Sequence, residues 1–450
     1  MASFGKAMRD AHFDFAPSYT PLNHGSFGAY PTTVRDYQQS LQRETEARPD
    51  TFIRFRYPEL LREARQAVAP LLGADTDEVV FVPNALTGIN SVLRNLTYEK
   101  GDVILYFSTI YGACLNTIKS LEDTTPVKGV SISLTYPIED KAIRDRFIET
   151  NFILQMQGAR VRLALFDTVL TFPGVRFPWE SLVRLCKQLN VLSCVDGAHG
   201  IGHIDLAHCA RVGPDFFISN CYKWLMVPRG CAVLCVPRRN HHLIKTTYPT
   251  SEGYLPQAQR EAVSPTEYFV RLFEKVSTVD ATPYISVLEA LKFREQICGG
   301  EKQIRDYCTR LAREGGELMA ALMGTAVLEN ETGTLRDCCF TNVRLPLDIG
   351  QPRRDPILLY ENRQGETFSP EEVQAMADWI TERSVNEFDS FLATRFYAGA
   401  FWTRLSSQIY LDRADFEWAA KVLLDLCDRA RKGEWRSVST SANIQGRLDI

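Results

Sequence analysis

Residues 219–225 read SNCYKWL, set among apolar runs: 191-VLSCVDGAHG-200 and 214-PDFFISN-220 before them, 230-GCAVLCVP-237 after. Lys223 stands between Tyr222 and Trp224, where a chain building a buried sheet has little use for a charge. Such a lysine either snorkels its ammonium to water or serves as a nucleophile. The surrounding pattern decides the fold. Upstream, 78-EVVFVPN-84, 102-DVILYFS-108 and 161-VRLALFDTV-169 are near-continuous apolar strands. Between them lie the helical patterns 86-LTGINSVLRNL-96, 111-YGACLNTIKSLE-122 and 179-WESLVRLCKQLN-190. Unbroken apolar strands alternating with helices predict an α/β fold, a mostly parallel sheet covered on both faces.

The pattern extends in both directions. An amphipathic helix, 58-PELLREARQAVAPLLG-73, precedes the first strand and ends at Gly73. A Pro-, Gly- and Thr-rich stretch, 246–269, leads into long helical patterns over 283–323. Strand and helix signals then alternate again: 337-DCCFTNVRLPL-347, 369-SPEEVQAMADWITERS-384, 401-FWTRLSSQIYL-411 and 414-ADFEWAAKVLLDLCDRARKG-433. We expect an N-terminal segment (1–45) joining the small domain and the active site, a large domain (46–295), and a small α+β domain (296–450).

The chain has 450 residues, 45% apolar and 24% charged, in the range of a globular protein with a large core. A net charge of −4 leaves no basic footprint, so no nucleic-acid partner is expected. No apolar run approaches the roughly 18 residues of a membrane span, and the N-terminus carries no signal-peptide pattern. The twelve cysteines are scattered, with no CxxC pair. They read as reduced, buried thiols of a cytoplasmic protein. If 337–347 is a strand, the adjacent Cys338 and Cys339 face opposite ways.

Ligands of open α/β sheets sit beyond the carboxyl ends of the strands. Asn84, Ala85 and Thr87 open a helix there, Asp167 and Asp196 each end a strand, and Asn220 ends the next, three residues before Lys223. A helix N-terminus suits a phosphate. An acid and a lysine at neighbouring strand ends match the needs of pyridoxal 5'-phosphate, which takes a lysine amine as a Schiff base and a carboxylate on its ring nitrogen. Tyr111, opening its helix, is placed to cover the cofactor's face. Taken singly, a strand-end aspartate caps a turn and a lysine snorkels; it is their conjunction that points to the cofactor. A metal at His199 and His203 is not expected, because no HExxH glutamate accompanies them. The glycines of GAHGIG lack dinucleotide-binding spacing, which leaves a Rossmann-type module as the weaker alternative.

The set 22-LNHGSFGAYP-31, 47-ARPDTFIRF-55, 80-VFVPNALTGINSVLRNL-96, 107-FSTIYGAC-114, 173-PGVRFPW-179, 193-SCVDGAHGIG-202, 218-ISNCYKWLMVPRGCAVL-234, 277-STVDATP-283 and 401-FWTRLSSQIY-410 resembles the class V aminotransferases of fold type I. Within them it is similar to the fungal branch holding hercynylcysteine sulfoxide lyase and the pyridoxal enzyme of loline biosynthesis. The resemblance spans roughly residues 10–435. It implies that Lys223 is the Schiff-base lysine, Asp196 the partner of the pyridine nitrogen, His199 a neighbour of the phenolic oxygen, and Tyr111 the stacking ring and a proton donor. It further implies that Ala85, Leu86 and Asn220 hold the phosphate, with Asp167 beside the cofactor and Thr278 reaching over from a second subunit of a homodimer. Arg404 would grip the substrate α-carboxylate, and Asn23 and His24 would line the substrate pocket. Three positions depart from the lyase pattern: Leu86 for threonine, Tyr222 for histidine and Ser277 for glycine. On that ground the expected reaction is C–C bond-forming cyclisation of an amino acid in alkaloid biosynthesis, with a C–S lyase as the alternative and a non-catalytic relative behind both. A desulfurase is disfavoured, since residues 340–426 contain no cysteine.

Overall fold

A computed structural model describes residues 3–352, 360–362 and 366–437; the end of the expected small domain, 438–450, lies outside them. A seven-stranded sheet forms from β1 (Val79–Val82), β2 (Asp102–Phe107), β3 (Lys128–Ile132), β4 (Arg160–Asp167), β5 (Leu192–Asp196), β6 (Phe216–Asn220) and β7 (Ala232–Cys235). Its order is β1-β7-β6-β5-β4-β2-β3. Five neighbouring strands, from β6 to β3, run parallel, and β7 is inserted antiparallel between β6 and β1.

Successive residues of a strand face opposite ways. In β4, Leu163 and Leu165 join a core with Ile89, Val92 and Phe269, whereas Ala164 and Phe166 join another with Phe147 and Leu182. Helices Ala85–Asn95, Gly112–Thr124 and Pro265–Glu274 thus cover one face, and Asp140–Met156 and Trp179–Gln188 the other. This double coverage is why the strands read as unbroken apolar runs, and it is the α/β architecture expected. Strand β3 escaped the sequence reading because it is an edge strand with a half-exposed face.

A second, antiparallel sheet contains β8 (Phe340–Arg344), β9 (Ala393–Tyr397) and β10 (Ala400–Ser406) in the order β9-β10-β8. Helices Glu301–Met323 and Pro370–Phe388 pack on it, and Arg413–Arg431 packs against both helices. Cys338 and Cys339 lie just before β8 rather than within it, and both are buried. The N-terminal segment joins this sheet: Ser406 N–H donates to Leu22 O (2.8 Å) and Gly5 N–H to Ile409 O (2.7 Å). No helix of the described residues is long and apolar enough to cross a membrane.

Candidate active site

Parallel register sets the first two groups side by side. Asp167 ends β4 and Asp196 ends β5, and the two are direct neighbours across the strands. Asp196 accepts from the Ala198 N–H (2.9 Å) and from the Cys114 thiol (3.6 Å). Burial raises both carboxyls, Asp167 the more, because Asp196 adds like charge beside it. A close pair of dry carboxylates resists double ionisation, so this pair favours a cation nearby.

That cation is Lys223, in the short helix Cys221–Trp224 that follows β6 at once. Burial pulls its ammonium down to about 8 against the upward pull of Asp196, with Arg404 adding to the depression. Its Nζ lies 3.1 Å from His199 Nε2. His199 is buried, which holds its ring neutral, and its Nδ1 accepts the Trp224 indole N–H (3.2 Å). His203 is turned away from any shared ligand: Nδ1–H donates to His199 O (2.8 Å) and Nε2 accepts the Cys339 N–H (2.7 Å). Among the described residues no group of three or more His, Cys, Asp or Glu could hold a metal.

Asn84 caps helix Ala85–Asn95, its side-chain oxygen accepting the Thr87 N–H (2.8 Å). Asn220, at the end of β6, accepts the Ala85 N–H (2.8 Å) and so ties this helix N-terminus to the Lys223 turn. Leu86 follows in the first turn. Tyr111 is the N-cap residue of Gly112–Thr124, and its partly buried phenol is shifted upward, by burial first and then by Cys114 and Asp196.

From the small sheet, β10 brings Arg404, 2% exposed. It donates to Thr171 O (2.6 Å), Asn23 Oδ1 (2.8 Å) and Ser26 Oγ (3.0 Å), and its guanidinium carbon sits 4.8 Å from the centre of the Phe340 ring. These partners are neutral, its Nε has none among the described residues, and burial lowers the group to about 10. A dry guanidinium without a carboxylate is costly unless an anionic ligand completes it. His24 lies under the Trp224 ring with Nδ1 bonded to Tyr410 (2.6 Å), and burial lowers it to about 3.

Lys223, Asp196, Asp167, His199 and Arg404 are therefore brought together, as the mutual electrostatic effects on Lys223 and His199 require. Thr278 is not among them. It lines a separate cavity of about 260 Å³ with Pro83, Thr87, Ser91, Phe273 and Tyr284. Sequence reasoning missed Trp224 as the indole donor to His199, Cys114 against Asp196, and Ser26 and Thr171 on Arg404. Only Ser26 carried a signal, its place in the NHGSF run; the others are tertiary meetings of residues that look like core.

The family model described as Aminotransferase class-V matches residues 41–339. The chain is 36% identical to L-cysteine desulfhydrase-like protein lolT1 of Epichloe uncinata, over 94% of this chain and 96% of that protein. It is 32% identical to hercynylcysteine sulfoxide lyase of Schizosaccharomyces pombe, over 94% and 98%. Among solved structures, the cystine C-S lyase C-DES, in complex with cysteine persulfide, superposes with a TM-score of 0.67 at 17% identity, covering 91% of this chain and 97% of that one. The cysteine desulfurase CsdA of Escherichia coli gives 0.65 at 16% identity, covering 95% and 99%. A parallel sheet with an acid and a lysine at its carboxyl edge, matched over nearly the whole chain by such relatives, places this protein in the class-V aminotransferase family.

Proposed function

We propose that the chain is a pyridoxal-phosphate-dependent enzyme that removes the Cα proton of an α-amino acid and then cleaves a bond to sulfur or another heteroatom in the side chain. The observation that carries this is the pairing of a depressed lysine amine with a buried guanidinium that meets no carboxylate among the described residues. The residues fit the cofactor: an amine without a salt bridge among the described residues, two raised carboxyls, and a helix N-terminus tied to the lysine turn. Bound there, pyridoxal phosphate supplies an aldehyde carbon for the amine and a ring that accepts the electron pair left at Cα.

The chain's own groups do the rest. Asp196 would pair with the pyridine nitrogen, and Asp167 beside it limits how much negative charge the two can carry. Ala85, Leu86 and Asn220 would hold the phosphate, and His199 would lie by the phenolic oxygen. Arg404 fixes the α-carboxylate as a bidentate pair, with Asn23 and His24 beside it. Neutral Lys223 takes the Cα proton at Nζ. Tyr111 keeps its proton near neutral pH, since its phenol is shifted upward, and donates it to the departing atom. The relatives' names, a desulfhydrase-like protein and a sulfoxide lyase, support cleavage at sulfur. Tyr222 favours a second reading. A phenol where the lyase pattern has a basic imidazole suits attack of the Cα electron pair on an electrophilic carbon of the same substrate, which forms a C–C bond and a ring as that carbon gives up its leaving group. We further place the enzyme in the cytoplasm, because all twelve cysteines are unpaired and buried, and in a homodimer in which Thr278 serves the partner's phosphate.

Two measurements test this. The purified protein is yellow and borohydride bleaches it, with the label on Lys223; Lys223→Ala is colourless and inactive. Turnover of hercynylcysteine sulfoxide and of γ-substituted amino acids is followed for pyruvate and for ring products. A Lys223→Ala chain that stays yellow and active overturns the assignment. Ring products without pyruvate move the second reading to first place.

A further inference from the structure

Trp224, the neighbour of the lysine, has a defined bond to make. An indole N–H can only donate, and this one donates to His199 Nδ1 at 3.2 Å. Nδ1 is therefore bare. Burial holds the His199 ring neutral, well below its ordinary range. A neutral imidazole with a bare Nδ1 carries its proton on Nε2, the atom 3.1 Å from Lys223 Nζ.

We propose that Trp224 is a positioning residue for the Lys223 amine: its indole N–H locks His199 in the Nε2–H tautomer, and that N–H is aimed at the lone pair of the neutral amine. An ammonium has no lone pair to offer a donor, so the arrangement favours the form of lysine that can attack a carbonyl. Other groups face the same amine. Asp196 and Asp167 at the strand ends, and Cys114 from helix Gly112–Thr124, favour the ammonium; Arg404 opposes it. Facing His199 are Lys223, Arg404, His203 and His24, all of which disfavour a charged ring. The charge that the Asp196 and Asp167 pair retains pulls toward the ammonium, and the aimed donor acts against that pull.

The indole is held firmly enough for this. It stacks on His203 with centroids 3.9 Å apart, and His24 and Phe340 meet it edge-on at 5.1 and 5.3 Å. Its carbonyl accepts from Arg294 (3.0 Å), a buried guanidinium paired with Glu301 (2.6 Å).

The inference rests on the reading that Lys223 is the amine that receives the cofactor, and the experiment separates the two. Full-length protein is stripped of cofactor, and the pH midpoint for reductive methylation of Lys223 by formaldehyde and cyanoborohydride is read by mass spectrometry. The His199 tautomer is read from ring ¹⁵N shifts. Wild type is expected to show the Nε2–H tautomer. Trp224→Phe keeps an aromatic ring but loses the donor; the ring then turns over to Nδ1–H, its bare Nε2 accepts from the ammonium, and the midpoint rises by about one pH unit, the scale of one hydrogen bond. His199→Gln keeps the low midpoint, because its amide oxygen takes the indole N–H while its NH₂ faces the lysine. An unchanged midpoint and tautomer in Trp224→Phe overturn the proposal. If that variant does not fold, an Nδ1–H tautomer in wild type, or a raised midpoint in His199→Gln, overturns it equally. If borohydride fixes no pyridoxal phosphate on wild-type Lys223, it is the functional reading that fails, whatever the tautomer.

Discussion

At the scale of single residues, the site is built from charges kept dry, and their cost is measurable. Lys223 falls to about 8 from its ordinary 10.5 because burial disfavours its ammonium. Between those two values the unfolded chain holds a proton that the folded chain lacks, so stability rises with pH across the window. Below it, the folded protein must keep an ammonium in a poor place, and the cost is fully present. In cofactor-free protein, Lys223→Met is therefore expected to raise stability at pH 7 by on the order of 1 kcal/mol, discounted because the side chain is only partly buried. The gain shrinks from pH 8 upward and is gone above 10.5; denaturant melts at several pH values read it directly. Arg404 makes the complementary case. Its neutral partners hold the guanidinium plane in place and leave its charge unmatched. Arg404→Lys keeps the charge and loses the planar fork. The apparent substrate constant is expected to rise about 10- to 100-fold, the worth of one charged hydrogen bond, with the yellow colour unchanged. A substrate constant that does not move removes Arg404 from substrate binding.

At the scale of elements, the site depends on short segments pressed together. Gly28 ends the helix His24–Phe27 with φ at +67°, and a Cβ there would land on the carbonyl of Tyr222, one residue before Lys223. Gly28→Ala is expected to cost roughly 1–3 kcal/mol from the backbone conformation and the clash together. It should also weaken cofactor retention, because the element that yields is the Lys223 turn; a lowered melting temperature with unchanged cofactor affinity would mean that the N-terminal segment moves instead. What could be read from sequence follows the same division. Strands buried on both faces announce themselves as apolar runs, so Asp167, Asp196 and Asn220 could be placed at strand ends, and Lys223 just beyond, before any contact was known. The half-exposed edge strand β3 had no such run. Nothing in the order of residues shows that Trp224 reaches His199, or that buried Arg294 ties Trp224 and Gly202 to Glu301 across the expected boundary at 295. Those are meetings between segments distant in sequence, and a tryptophan beside a lysine reads as core until its N–H has an address.

At the scale of the molecule, Thr278 is the residue that one chain does not explain. It stands apart from the lysine cluster, on a cavity whose surroundings include Val279 and Tyr248, 65% and 40% exposed. Large apolar groups left in water at one cavity suit a protein surface that is covered in use. If a second copy covers it and its Thr278 reaches the first copy's phosphate, each site needs two chains. Mixing two defective chains tests this. Lys223→Ala removes the amine, and Thr278→Glu sets a carboxylate against the phosphate; each homodimer is expected to be inactive and to bind cofactor poorly or without colour. In a hybrid where Thr278 acts across the interface, one site collects both changes and the other collects neither, so about half of the hybrid's sites turn yellow and work. Where Thr278 acts within its own chain, each site of the hybrid carries one change and no site recovers. Activity that returns on refolding the two chains together, and scales with the hybrid fraction by mass, establishes the shared site; a mixture that stays colourless while hybrids form confines Thr278 to its own subunit.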